Sequence, residues 1–252
     1  EYWWSRTGAQ NNKLEETEAL TTDQSAELNK ALVLSLQSAL LKFPENPSSF
    51  DWLEQLAEKT SDKKYSQWAV DLGNKILADK KLLNQFKQAE FMGDALGFEV
   101  LKIYESQASA LERLDKKSDA LAIWKKAAEE AKKLGVHENK NGVFYRHLTV
   151  FKNAEQTQII TDFFLKNLSL YPEDPELQRR YAKFLLEQKD FKMAEQMSYK
   201  SLLNSYGRNE IYAATIYSKA LAQQGKFEDA KNTLLQLKTR ENVNDSSQKL
   251  ID

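Results

Sequence analysis

The strongest constraint on the fold of this chain is a pattern that recurs four times along its second half. Equivalent small or apolar residues lie at Ala120, Ile160, Ala194 and Ala230, so successive units begin 40, 34 and 36 residues apart. Each unit then continues with apolar residues at three- and four-residue steps, as in Phe164 after Ile160. A recurrence of 20 to 50 residues is typical of repeat proteins, in which each unit completes its core by packing against its neighbours.

The spacing of apolar residues predicts helices throughout the ordered part of the chain. Glycine and proline together make up only 12 of the 252 residues, which excludes turn-rich all-β folds. The stretch 84–113 could be one helix or two, because Gly93 and Gly97 lie within it. The first predicted helix begins at Asp23 and ends at Phe43–Pro44. The helices predicted after it cover 48–59, 63–79, 84–113, 117–134, 142–153, 156–170, 175–187, 191–205, 210–224 and 227–239.

Two Asx-Pro pairs predict where helices start. Asn46–Pro47 and Asp174–Pro175 each place a good N-cap residue before a proline. Proline suits the first helical position, because the N–H group that it lacks would have no partner there.

These units resemble the tetratricopeptide repeat (TPR). The segment Gly225–Lys226–Phe227–Glu228–Asp229–Ala230 is similar to the turn of that family, and Asp190–Phe191 with Ala194 repeats it without the glycine. The resemblance implies an all-α fold, a right-handed α-solenoid of TPR-like helical hairpins. It covers residues 101–240 well. Residues 23–100 fit as degenerate hairpins, 1–22 form an N-terminal lead-in, and 241–252 form a polar tail.

In this family the first helices of the hairpins line a concave groove that binds segments of partner proteins. Carried over position by position, the resemblance predicts a partner-binding groove at Tyr145, Lys152, Arg179, Lys183, Tyr212 and Lys219, preceded by Lys102, Glu105 and Glu112. Cationic and aromatic side chains at these positions favour an acidic peptide or a terminal carboxylate as the ligand. The alternative is that these are ordinary surface cations and packing tyrosines.

Composition and missing motifs exclude several functions. The 36 basic and 37 acidic residues give a net charge of −1, so nucleic acid is not an expected partner. No cysteine is present, His137 and His147 are the only histidines, and the chain lacks nucleotide-binding and serine-hydrolase motifs. We therefore predict a protein that is not an enzyme and that carries no metal and no cofactor.

The segment Tyr2–Trp3–Trp4–Ser5–Arg6 combines three aromatic residues with a cation. Such a segment occurs beside membrane anchors, where aromatic rings lie at the headgroup level; alternatively, it is a hook that packs on the domain or on a partner. The prediction is a non-catalytic protein-interaction scaffold or adaptor. One alternative is the ectodomain of a membrane-anchored bacterial envelope protein, with the anchor upstream of Glu1; another is a regulatory subunit that binds a peptide or a glycan. A periplasmic or membrane-anchored location is favoured over a cytoplasmic one, and the oligomeric state stays open.

Overall fold

The computed structural model describes residues 22–46, 48–88, 99–139 and 143–238, and within these ranges it contains α-helices and no β-strand. The all-α helical-repeat prediction is confirmed. No helix in the described ranges has the length and apolar character that crossing a membrane requires. The helices are α1 (Thr22–Lys42), α2 (Ser49–Thr60), α3 (Lys63–Ala78), α4 (Lys80–Gln88), α5 (Glu99–Arg113), α6 (Lys117–Lys133), α7 (Leu148–Asn153), α8 (Thr157–Leu170), α9 (Pro175–Glu187), α10 (Phe191–Asn204), α11 (Arg208–Ala222) and α12 (Phe227–Lys238).

The chain forms two compact units, Glu1–Ile160 and Thr161–Asp252. In the first unit each of α1, α2 and α3 packs on the next, α3 packs on α5, and α5 packs on α6, while α4 lies against α3 and α5. Side chains such as Leu36, Leu56 and Leu101 are fully buried between these helices. In the second unit α9, α10, α11 and α12 pack in chain order, and α9 also contacts α11. Phe164 of α8 stacks on Tyr181 of α9 with ring centroids 5.0 Å apart.

Five turns between helices in the described ranges each contain one residue with a positive φ angle, two positions before the following helix. These residues are Ser61, Asp115, Glu155, Lys189 and Gly225. The last four follow one another at 40, 34 and 36 residues, the same intervals as the sequence repeat. In those four turns the next N–H group donates to a carbonyl five residues earlier, as Lys226 N does to Leu221 O at 3.0 Å. This bond satisfies a carbonyl at the end of the preceding helix. The sequence repeat therefore also sets where the first helix of each hairpin ends.

Helices α3 and α5 approach closely at Gly73. A Cβ atom at this glycine would lie 2.3 Å from Cγ of Gln107. The Gln107 side chain is buried and donates from Nε2 to the Val70 carbonyl at 3.1 Å and to Asn74 Oδ1 at 3.0 Å. The amide therefore crosses from α5 to α3 over the space that Gly73 leaves open.

The last two hairpins are joined by the side chain of Gln224, which follows α11. Its Nε2 donates to the carbonyls of Phe191 and Ala220, at 3.2 and 3.0 Å, and to Glu195 Oε2 at 2.7 Å. Lys226 Nζ reaches the same carboxylate at 2.8 Å. We call these three side chains, Gln224, Glu195 and Lys226, the Gln224 clamp.

Two helix starts differ from the prediction by more than two residues. The predicted helix 142–153 begins only at Leu148, because Asn139 Oδ1 accepts the Phe144 N–H at 3.2 Å and the chain then makes two i to i+3 turns. The predicted stretch 84–113 contains α4 and α5, and α4 starts earlier, at Lys80, because Asp79 Oδ1 accepts the N–H groups of Lys81 and Leu82. Gly93, Gly97 and Pro47 lie outside the described residues.

Candidate partner-binding surface

Helix α9 carries Arg179 and Lys183, two of the predicted groove residues. The predicted N-cap is confirmed: Asp174 Oδ1 accepts the N–H groups of Glu176 and Leu177, at 2.9 and 3.1 Å, with Pro175 in the first turn. This cap fixes the start of α9. Tyr181, Phe184 and Leu185 face the core, which leaves Arg179 and Lys183, four residues apart, on another face.

Helix α11 brings Tyr212 to Arg179. The guanidinium carbon of Arg179 lies 5.4 Å from the centroid of the Tyr212 ring, and that of Arg208 lies 5.7 Å from the same centroid. Both distances are within the range of cation–π attraction. Lys219 follows Tyr212 by seven residues on the same helix face. Arg179, Lys183, Tyr212 and Lys219, together with Arg208, are called the basic surface below.

Glu176 holds Arg179 in place. Nε and Nη2 of Arg179 donate to the two oxygens of this carboxylate at 2.9 and 2.7 Å, and Arg180 Nε donates to Oε1 at 2.6 Å. Partial burial raises the pKa of Glu176, but the hydrogen bonds from Arg179 and Arg180 outweigh it, so the pKa lies below its ordinary value. One carboxylate is therefore shared by two guanidinium groups and stays ionised at neutral pH.

The side chains of the basic surface differ in exposure and so in what they can do. Arg179 is only 17% exposed and already has a bidentate partner, so it positions the Tyr212 ring. Lys183, Arg208 and Lys219 are exposed. Arg208 lies beside the half-buried Tyr212 ring, and Lys183 and Lys219 lie on the two helices that carry Arg179 and Tyr212. The exposed cations can bind carboxylates through charge-assisted hydrogen bonds, and the ring can pack against an apolar part of the same ligand.

Tyr145 and Lys152, the other two predicted residues, belong to the first unit. Tyr145 is half-buried and makes an edge-on contact with Phe144, with ring centroids 5.9 Å apart. Phe144 in turn stacks on the fully buried Phe151. Lys152 is exposed near the end of α7. Tyr145 therefore packs against the core of its hairpin through Phe144. A role in binding stays a prediction for both Tyr145 and Lys152.

The predicted groove positions on α5 are used for contacts between helices. Lys102 Nζ lies 2.6 Å from Asp51 Oδ2 of α2, and Glu112 Oε1 accepts the Trp124 indole N–H of α6 at 2.8 Å. Glu105 Oε1 lies 3.0 Å from Nδ1 of the buried His147. These three side chains connect helices of the first unit, and for Lys102 and Glu105 the sequence pattern could not indicate the contact because the partners are 51 and 42 residues away.

Sequence reasoning missed Arg208 as a member of the basic surface and Glu176 as the carboxylate that holds Arg179. A signal for Glu176 was available, because Arg179 and Arg180 follow it by three and four residues, the spacing of helical ion pairs. Arg208 also lies four residues before Tyr212. In the described ranges, no three His, Cys, Asp or Glu residues are grouped so that they could hold a metal ion.

Comparison with known proteins identifies no family. No family model matches the chain, and no curated protein matches it. Among solved structures it is similar to BtubC (BKLC) from P. vanneervenii, with 11% identity and a TM-score of 0.47 over 92% of this chain and 91% of that chain. It is also similar to yeast Tom70, with 16% identity and a TM-score of 0.37 over 99% of this chain and 50% of that chain. At these values neither similarity indicates a function or a partner.

Proposed function

We propose that this protein is a non-catalytic interaction scaffold and that its basic surface binds an acidic segment of a partner protein. The observation that carries the proposal is the geometry of Arg179, Tyr212 and Arg208, in which two guanidinium groups lie within 6 Å of one aromatic ring. Glu176 holds Arg179 by three hydrogen bonds. Part of the surface is therefore pre-organised, and a ligand that binds it does not bear the entropic cost of ordering that side chain.

The exposed lysines supply the charge in this proposal. Lys183 and Lys219 lie on α9 and α11, which contact each other. An extended acidic peptide that crosses these two helices would place carboxylates near both ammonium groups and an apolar side chain over Tyr212. A terminal carboxylate would need only one of the lysines. The two ligand types therefore predict different sensitivity to single and double substitutions.

Binding of a labelled twelve-residue peptide rich in Asp and Glu, followed by fluorescence anisotropy, tests the proposal. The double variant Lys183→Glu/Lys219→Glu turns two weak attractions of about 0.5–1 kcal/mol each into repulsions of similar size. The binding free energy then weakens by about 2–4 kcal/mol, so we expect the dissociation constant to rise at least about 30-fold, because each 1.4 kcal/mol corresponds to a factor of ten. Amidation of the peptide's C-terminus distinguishes an acidic segment from a terminal carboxylate.

Lys192→Glu/Lys200→Glu on α10 is the matched control. It makes the same change in net charge at two exposed lysines of the second unit, and we expect it to change the dissociation constant less than about twofold. Equal weakening by both double variants would show that only the overall charge matters. A basic peptide of the same length that bound equally well would also contradict the proposal.

A further inference from the structure

The first unit contains an apolar groove at the end of α1. Leu40, Leu41 and Pro44 form one side, and Leu53, Trp68 and Leu72 complete it, around a volume of about 350 Å³. This volume lies in the lower part of the ~300–1,000 Å³ range of small-molecule sites. All six lining side chains are apolar. Leu41 is 81% exposed and Trp68 is 48% exposed, so the groove presents large apolar groups to solvent.

A second exposed leucine lies on the same face of α1, outside the groove. Leu34 is 58% exposed and precedes Leu41 by seven residues, with Gln37 and Ser38 between them on that face. Neither belongs to the buried face of α1, which consists of Leu32, Leu36, Ala39 and Leu40. Large apolar side chains that line an exposed groove commonly mark a site that another segment or protein covers.

A candidate occupant lies in the same chain, directly before α1. Tyr2, Trp3 and Trp4 are the only aromatic residues among residues 1–21. The 17 residues between Trp4 and Thr22 can span at most about 58 Å. Leu41 lies about 28 Å along the helix from Thr22. The chain is therefore long enough to bring the aromatic residues to the groove, and a tether of this length makes the local concentration roughly millimolar.

We propose that the segment Tyr2–Trp3–Trp4 docks into this groove of its own molecule. Flat indole rings suit an open apolar cleft, and aromatic pairs with Trp68 would add to the buried area. Glu45 and Lys75 form an ion pair at the groove residues. Glu45 directly follows Pro44, and Lys75 lies about one helical turn after Leu72. The Glu45 carboxylate would accept an indole N–H or pair with Arg6. This proposal concerns the first unit and is independent of the basic surface, so either can fail alone.

Disulfide trapping tests the docking without a competing thiol, because the chain has no cysteine. Ser5→Cys places a thiol beside the intact aromatic segment. It is combined with Leu41→Cys at the groove or with Lys30→Cys as the matched control. Lys30 is exposed on the same α1 face, 11 positions earlier, which is about 20° around the helix. Initial rates of intramolecular disulfide formation are compared on non-reducing gels at low protein concentration, after circular dichroism has shown that the variants keep their helix content.

A tether without docking favours the nearer thiol, because loop closure becomes less probable as the loop grows. Its predicted rate ratio of Leu41→Cys to Lys30→Cys is therefore one or less. Docking predicts a ratio of at least about ten. Adding Trp3→Ser/Trp4→Ser should return the ratio to the tether value. An equal or faster reaction at Lys30→Cys, mainly disulfide-linked dimers, or an unchanged ratio in the serine variants would each overturn the proposal.

Discussion

For Gly73→Ala, helix propensity predicts a more stable protein, whereas the packing around this glycine predicts a less stable one. Gly73 lies inside α3, where alanine is intrinsically more favourable by about 0.8–1 kcal/mol. The added Cβ would lie 2.3 Å from Cγ, 2.4 Å from Cδ and 2.6 Å from Nε2 of Gln107. Because this side chain is only 1% exposed, it cannot move aside into solvent without leaving the interface of α3 and α5.

The expected cost follows from what Gln107 would lose. Displacing its amide breaks the bonds to Val70 and Asn74, each with a net contribution of about 1 kcal/mol. Overpacking of a close interface adds about 1–3 kcal/mol. After the gain in helix propensity is subtracted, we expect Gly73→Ala to lower the free energy of unfolding by about 2–4 kcal/mol.

Urea unfolding followed by tryptophan fluorescence measures the free energy of unfolding of the first unit, which contains Gly73. All five tryptophans lie between residues 3 and 124, within Glu1–Ile160. The double variant Gly73→Ala/Gln107→Ala removes the clash, so its loss should be smaller than the sum of the two single losses by about 1–3 kcal/mol. A Gly73→Ala protein as stable as the wild type or more so, or strictly additive losses, would refute the reasoning.

Two further predictions concern the second unit. Lys189→Gly should raise the free energy of unfolding by about 0.5–1 kcal/mol, because Lys189 has a φ of 65° and glycine adopts that region without steric cost. Gly225→Ala should lower the free energy of unfolding by a similar amount, because Gly225 has a φ of 78°, although the space around it is open. Urea titrations followed by circular dichroism at 222 nm give both values. The lowered pKa of Glu176 adds stability above the pKa of the unfolded chain, and this stability is lost as pH falls through the lower folded pKa. Between about pH 6 and 3, the wild type should therefore lose more stability than Glu176→Gln, by less than about 1 kcal/mol because the carboxylate is partly exposed. Parallel pH curves for the two proteins would contradict this assignment.

The helices and their register could be predicted from the sequence because both depend on local pattern. Ala120, Ile160, Ala194 and Ala230 are all buried, and each follows the positive-φ residue of its turn by five positions. Small or apolar residues at this place allow the two helices of a hairpin to approach. The recurrence was visible although only Gly225 among the turn residues is a glycine.

The polar contacts could not be predicted, because their partners are distant in the sequence. Lys102 and Asp51 are 51 residues apart, and nothing in the pattern of either helix indicates the other. The sequence also did not indicate that Leu34 and Leu41 are exposed, because both are leucines in the same helix as the buried Leu32 and Leu36. Periodicity predicts which side chains share a face, whereas packing decides whether that face is covered.

The Gln224 clamp has a consequence for the order in which the C-terminal end of the second unit opens. Hydrogen exchange of the α12 amides requires that α12 separate from α11, on which it packs, and the elements of a repeat array can open separately at different free-energy costs. Opening α11 must also release Gln224 from Phe191 and Glu195 of α10. We therefore expect the amides of α11 to exchange slowly and the amides of α12 to exchange faster, as a separate group.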